Sequence, residues 1–368
     1  MKTFNTKLTF EALQKIPSNK EGSVSIFVRD FKEIADFNSI YGRDNIAIKL
    51  CKVPNIERWI SAVRPGVIYD TVENNTIAQN LYSLVDLSPR VYDVVKVCFG
   101  NGDFHYGQIV EIVSGEVTKM SYSKQEMFIA YGKLKGINIG KIDLRNDNYM
   151  DNKIIDLNNF MFNKNTYKEY LVPLIKKGGA WLSNTPYHTI DELDIVGTRK
   201  ITDRPKELCL DEIDFNGKTV LDIGSAMGNM VREYSERGAK RVVGVDINYY
   251  PEISKQIDYY LGYFNNDYYG YNEDINLSKD QLNNIIKLRS QTNIVKYDIL
   301  SFLSVVNHVP FTRDVAFLAD TIIFEGHAQN TEEQIERWLE PYYNKVTKIK
   351  GRSKLNNRLA YIGTNLWK

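Results

Sequence analysis

Residues Thr219 to Met230 read TVLDIGSAMGNM, and Arg241 to Asn248 read RVVGVDIN. An apolar run (Val220, Leu221, Ile223) stops at a loop carrying Gly224, Ser225, Ala226 and Gly228, and a helix-like stretch opens at Asn229. A second apolar run ends on Asp246 and Ile247. Strand, small-residue turn, helix, strand and acid form the front half of a nucleoside- or dinucleotide-binding α/β unit. Small residues let the backbone approach a ligand closely. An acid after the second strand can accept hydrogen bonds from both ribose hydroxyls. A pyrophosphate ligand asks for G-x-G-x-x-G, with its phosphates on the helix N-terminus. Here the order is Asp222-x-Gly224-x-Ala226-x-Gly228, and an acid before the first glycine would repel a pyrophosphate and suits a cationic ligand.

This arrangement resembles motif I of the class I S-adenosylmethionine (SAM) methyltransferases. The resemblance covers roughly Tyr187 to Lys368 and implies an α/β fold: a seven-stranded Rossmann-like methyltransferase sheet. SAM is the cofactor it implies, held through Asp222, Gly224, Ser225, Ala226, Gly228, Asp246 and Ile247. The stretch from Tyr187 to Lys218 looks like the lead-in helix and lid of small-molecule and glycan methyltransferases.

The apolar pattern places helices over Asn229–Arg237 and Pro251–Tyr263. Tyr268–Asn276 is the expected third strand, ending near Asp274, where this fold offers an acid to the adenine amino group. The rival third strand is NIVKYD, with Asp298 as the adenine contact. Tyr297–Val309 is the expected fourth strand, Arg313–Asp320 a helix, Thr321–His327 the fifth strand and Glu332–Tyr343 a helix. VTKIKG and RLAYIGTN form the terminal pair.

Methyl transfer from a sulfonium is an in-line displacement that needs an aligned nucleophile and, for a hydroxyl acceptor, a base. His308 at the end of the fourth strand and His327 with Glu325 at the end of the fifth are the candidate catalytic residues. An imidazole is suited to that task near neutral pH.

The first half carries a second pattern. IAIKL (Ile46–Leu50) contains Lys49, and a helix follows from Thr71 to Leu84. Strands LSPRVYDVVKV and HYGQIVEIVSGE come next, then IDLRNDNYM, with Asp143 and Asn148 at D-x-x-x-x-N spacing, and KIIDLNNF with Asp156. This order resembles the small lobe, hinge and catalytic loop of aminoglycoside-phosphotransferase-like and protein kinases. The resemblance implies ATP contacted by Lys49, an acceptor hydroxyl oriented by Asp143, and Mg2+ held by Asn148 and Asp156. The chain departs from those kinases in having no glycine-rich run before Lys49, no His-Arg before Asp143 and no large helical lobe after Asp156. Three readings stay open for this half: an inactive kinase-like docking domain, an active phosphotransferase, and an unrelated α+β domain in which Asp143 and Asn148 shape a turn.

Length and composition bound the rest. At 368 residues the chain exceeds a typical domain. The expected division is a kinase-like domain over 1–165, a linker and lid over 166–190, and the methyltransferase domain over 191–368. A formal net charge of +1 disfavours nucleic acid as the main partner. Cys51, Cys98 and Cys209 lack C-x-x-C spacing, which points to a reducing compartment and gives no zinc site. Neither a signal peptide nor a membrane span is legible, so a soluble, cytoplasmic protein is expected. The sequence thus points to a methyltransferase whose acceptor is a hydroxyl of a sugar, glycan or small molecule. The alternatives are a bifunctional kinase–methyltransferase and a regulatory protein that keeps SAM as a bound ligand. Nothing in the sequence fixes the oligomeric state.

Overall fold

The computed structural model describes residues 1–16, 20–21, 25–29, 34, 45–60, 68–114, 120–138, 149–150, 153–154, 161–178, 185–199, 201, 203–247, 250–271, 278–349 and 358–366. Two compact units emerge, one comprising Met1–Leu171 with Tyr259–Asn265, the other Val172–Asp258 with Asn266–Lys368.

The first unit holds a six-stranded sheet of β1 (Lys2–Asn5), β2 (Lys20–Glu21), β3 (Ser25–Val28), β4 (Ile46–Cys51), β5 (Val91–Cys98) and β6 (Phe104–Glu111). Its order is β1-β5-β6-β4-β3-β2, and only the β1–β5 pairing is parallel. Strand alternation sorts the side chains. Ile48, Leu50, Val95, Val97 and Ile109 join one apolar cluster, while Ala47, Val91 and Val110 join another. Helix α1 (Val72–Ser83) starts at the Thr71 cap, whose hydroxyl accepts from the Asn74 N–H. Its packed face carries buried Asn75, Thr76, Gln79 and Asn80. Gln108 on β6 donates to Asn75 and Thr76 at 3.1 and 2.7 Å, which answers part of that polar burden. Helix α2 (Tyr122–Leu134) follows after the sheet. The expected strand over Ile46–Leu50 and the expected helix over Thr71–Leu84 lie where the sequence put them, within a residue at each end.

The second unit is built on a seven-stranded sheet: β7 (Thr219–Ile223), β8 (Arg241–Ile247), β9 (Asp267–Tyr271), β10 (Tyr297–Leu303), β11 (Ala319–Glu325), β12 (Tyr343–Lys348) and β13 (Ala360–Leu366). The order is β9-β8-β7-β10-β11-β13-β12. The first five run parallel, and β13 enters antiparallel between β11 and β12. Both faces are covered, as a parallel sheet requires. Leu221, Val243, Leu300, Ile322 and Phe324 pack into one core, and Val220, Val242, Ile299 and Ile323 into the other. The connecting helices are α3 (Asn229–Glu236), α4 (Tyr250–Leu261), α5 (Ser278–Thr292) and α6 (Glu332–Leu339). Thr331 and Gln334 form a reciprocal capping box at the start of α6. This is the α/β sheet that the sequence motifs implied.

Two expected boundaries are corrected. The described part of the third strand is Asp267–Tyr271, and the rest of the run expected to Asn276 lies outside the described residues. The fourth strand ends at Leu303 instead of Val309. The helix expected over Arg313–Asp320 is a single turn, Arg313–Ala316, and Ala319 already pairs with Tyr297 as the start of β11. Among the described residues no helix is long and apolar enough to cross a membrane.

Candidate active site

The order reverses between β7 and β10, where β7 leads out one way to β8 and the other way to β10. A crevice opens at the carboxyl ends of strands at such a switch point. Here it is a cavity of about 380 Å³ lined by Gly224, Ala226, Asp246, Tyr250, Val305 and His308, among others.

The turn after β7 is shaped by exclusion. Gly224 has φ +82°, and a Cβ there would lie 2.1 Å from Val305 Cγ1. Gly228, at φ +76°, would bring a Cβ within 2.2 Å of Tyr268 Oη. Tyr268 cannot yield, since its hydroxyl donates at 2.7 Å to buried Asp258. Asp258 also receives Asn266 at 2.7 Å and Arg232 at 2.6 Å, which ties α3, α4 and β9 together beneath the turn. Two amides of the loop, Gly224 N–H and Ser225 N–H, both donate to the Val245 carbonyl, at 2.8 and 3.1 Å.

Asp246 closes the turn. Its carboxylate accepts from the Ala226 N–H at 2.6 Å and the Ile247 N–H at 2.7 Å. Each oxygen keeps a further acceptor position for a ligand hydroxyl. Burial raises its pKa, while those two amides and His308 oppose the rise. Of the expected cofactor residues, Gly224, Ala226, Asp246 and Ile247 line the cavity, whereas Asp222, Ser225 and Gly228 are not among its lining residues. Asp222 is buried and accepts from Ser301 Oγ at 2.6 Å, and Ser301 in turn accepts from Tyr234 Oη at 2.8 Å. Burial pushes the Asp222 carboxyl up to about 7. It braces β7 against β10 and does not reach the cavity as a ligand contact. Asp274 lies outside the described residues.

His308 and His327 both line the cavity, with ring centroids 6.2 Å apart. His308 is reached five residues beyond the end of β10, in a turn where its N–H donates to the Val305 carbonyl at 2.8 Å. His327 follows β11. Its Nε2 is buried and has no hydrogen-bond partner among the described residues. Burial, reinforced by Arg358 and His308, pulls its pKa below the ordinary value. The ring is therefore neutral at pH 7 and able to accept a proton.

Glu325 is a correction. It is fully buried, absent from the cavity wall, and bound on both oxygens by Arg204, one at 2.8 Å. Ser304 also donates to it, and Arg358 stands 3.9 Å away. Burial works to raise its pKa, but the Arg204 hydrogen bonds and charge prevail and hold it below the usual value. The side chain is an anchor for the loops that frame the cavity, not an acid–base group.

Sequence reasoning missed Tyr187, Arg199 and Arg358 on the cavity wall. The first two fall in the stretch read as a lid, and the third opens the RLAYIGTN segment, but nothing local marks them as converging.

The strand order, switch-point crevice and glycine turn define a class I methyltransferase-type sheet. Residues 207–355, which include β7 to β12, match the family model of the FtsJ-like methyltransferases. Among solved structures, the bifunctional kinase-methyltransferase WbdD is similar at 16% identity and a TM-score of 0.39, over 53% of this chain and 46% of that one. The N-terminal domain of EvdMO1, crystallised in the presence of SAH and D-fucose, is similar at 12% identity and a TM-score of 0.38, over 56% and 98%. This chain spans about half the length of the WbdD chains it matches. No curated protein sequence matches it.

The first unit has a cavity of about 210 Å³, lined by Phe27, Ala47, Lys49, Gln79, Glu111 and Met150, among others. Lys49 is buried on β4, paired in register with Gln108 of β6. Asp143, Asn148 and Asp156 lie outside the described residues. No cluster of three or more His, Cys, Asp or Glu able to hold a metal occurs among the described residues.

Proposed function

We propose that the chain is a SAM-dependent methyltransferase acting on a hydroxyl oxygen of a polar acceptor such as a sugar, glycan or small molecule. The observation that carries this reading is Asp246, which is fixed by the Ala226 and Ile247 amides on the wall of a 380 Å³ crevice at the switch point. The residues fit the cofactor. Asp246 offers free acceptor positions for ribose hydroxyls. Ile247, Tyr250 and Val309 give an apolar and aromatic wall for a purine. At Gly224 the positive φ and the packed Val305 side chain leave no room for a Cβ, which keeps bare backbone on the cavity wall. When bound, SAM supplies an electrophilic methyl on a sulfonium. The protein's own part is to orient the acceptor, exclude water and take up a proton. His327 Nε2 is the preferred proton acceptor, because it is buried, unbonded and neutral at pH 7. His308 stands across from it as the second candidate.

The test is calorimetry with S-adenosylhomocysteine, followed by transfer of a labelled methyl to a panel of saccharides and small polar molecules. His327→Ala is expected to lower turnover about a hundredfold, the lower range for general base catalysis, with cofactor affinity unchanged. Cofactor binding with no transfer to any panel member, and full turnover in both histidine variants once an acceptor is found, would each count against the catalytic part.

A second reading, a bifunctional kinase–methyltransferase, is supported by the Lys49 cavity of the first unit. Ala47 and Lys49 form one wall, and Glu111, Ile112 and Val113 at the end of β6 form another. That is where a kinase-like small lobe would seat ATP. Titration with ATP and Mg2+ tests it, and absence of binding removes it.

A further inference from the structure

The cavity of the second unit is lined by charges of both signs. Asp246 is the acid among its lining residues. Tyr187, Arg199 and Arg358 line it as well. Both guanidinium groups are built in rather than trailing in solvent. Tyr187 and Arg199 are held by a short backbone ladder, in which the Arg199 N–H donates to the Tyr187 carbonyl and the Thr189 N–H to the Arg199 carbonyl, each at 2.9 Å. Gly197 fits beneath that ladder only because it lacks a side chain, since a Cβ would meet the His188 carbonyl carbon at 2.2 Å. The Arg199 guanidinium then lies over the Tyr187 ring, 4.8 Å from its centroid. Burial, with Arg358 and Arg204 nearby, lowers the Arg199 pKa, so this cation is partly desolvated among like charges.

Arg358 is held by Nη1, which donates to Ser304 Oγ at 2.5 Å, while its Nε is buried and has no hydrogen-bond partner among the described residues. The nearest carboxylate, Glu325, is already engaged by Arg204 and reaches Arg358 only at 3.9 Å. Two guanidinium groups lining one cavity, with no ion pair to Arg199 among the described residues, match the planar, forked geometry that binds oxyanions.

We infer that Arg199 and Arg358 form an oxyanion subsite, so that the acceptor carries a carboxylate or phosphate group that seats it in the cavity. This deepens the methyltransferase reading and rests on it. The subsite would orient the acceptor so that a neighbouring hydroxyl faces His327. An acceptor lacking the acidic group would leave both guanidinium groups unanswered in the cavity and be disfavoured.

The experiment uses the full chain, with and without S-adenosylhomocysteine, titrated with inorganic phosphate, glucose 6-phosphate, glucuronate and glucose. A phosphate- or carboxylate-bearing ligand is expected to bind at least about tenfold more tightly than glucose. Arg199→Gln and Arg358→Gln should each weaken that binding about tenfold, the scale of a charge-assisted hydrogen bond, while Arg199→Lys recovers part of it. Arg199 is half-exposed, so its variant tests the subsite even if Arg358→Gln unfolds. The phosphate and uronate arms tell the two oxyanions apart. Equal affinity for glucose and the acidic ligands, or oxyanion binding indifferent to Arg199→Gln, overturns the inference. So does a loss of S-adenosylhomocysteine affinity in these variants with 5′-methylthioadenosine affinity intact, since the arginines would then hold the cofactor's own carboxylate. Failure of the underlying reading looks different, because the unmodified chain would not bind S-adenosylhomocysteine at all.

Discussion

The two sheets gather their cavities in opposite ways. In the second unit five parallel strands present their carboxyl ends to one edge, so turns that are short in sequence converge there. Gly224 to Gly228 and His308 lie in the loops after β7 and β10, and Asp246 lies at the end of β8. In the first unit the sheet is mainly antiparallel, and its cavity is lined from the middle of strands. Phe27, Lys49 and Val110 come from β3, β4 and β6, with Gln79 from α1 and Met150 from a distant segment. A parallel edge makes a site from local motifs; an antiparallel face makes one from residues that share nothing in sequence. Electrostatics differ too, since the parallel edge pairs an acid with two arginines, whereas the other cavity carries Lys49, Arg29 and Glu111.

The contrast can be broken most severely through Glu325. Replacing it by Ala leaves the half-buried Arg204 and Arg358 without their shared carboxylate and should cost about 3–5 kcal/mol of stability in the second unit. Denaturant unfolding followed by probes in each unit would read this, and an equal loss in the first unit would mean the two do not respond separately. Next in size is Gly228→Ala. A positive φ and a collision with Tyr268 Oη together are expected to cost about 2–4 kcal/mol, and S-adenosylhomocysteine binding should fall with it. A variant as stable as the parent would show that Tyr268 and its Asp258 network can move.

A third substitution reverses the direction of the comparison. Lys49→Ala should abolish any ATP binding and leave S-adenosylhomocysteine affinity within about twofold, because Lys49 lines only the first cavity. Calorimetry with both ligands checks it, and a parallel loss of both affinities would contradict it.

A fourth test concerns pH. Burial raises the Asp222 pKa to about 7, from 3.8. The folded chain then holds more protons than the unfolded chain between those values, so this group's contribution to stability declines as pH rises from about 4 to 7 and is flat above. Asp222→Asn keeps an acceptor for Ser301 Oγ and removes the titration. The variant should be more stable than the parent at pH 8 and should lose the decline between pH 4 and 7. A parent chain that instead gains stability over that range on account of Asp222 would reverse the assigned sign.

The same geometry explains what was legible in the sequence. The turn from Asp222 to Gly228 and the acid at Asp246 could be read because strand ends and loop are contiguous. Asp222 was read as a ligand contact, yet the alternation of β7 turns it into the sheet, toward Ser301 and Tyr234. Glu325 looked catalytic from its place at a strand end, but Arg204, 121 residues away, occupies it. Long-range partners of that kind leave no periodic trace. For the same reason Arg199 and Arg358, which line one cavity from the lead-in segment and from just before the strand at Ala360–Leu366, were not recognised as a pair. Lys49 could be placed on β4 because IAIKL is a short, continuous apolar run.

The central claim is that Asp246 anchors a nucleoside in the switch-point cavity of the second unit. The direct measurement is calorimetric titration of the folded full chain and of Asp246→Ala with S-adenosylhomocysteine. One site per chain is expected, weakened in the variant by about 1.5–3 kcal/mol, the scale of hydrogen bonds to a charged group. No binding to a folded parent chain, or equal affinity in parent and variant, would contradict the claim.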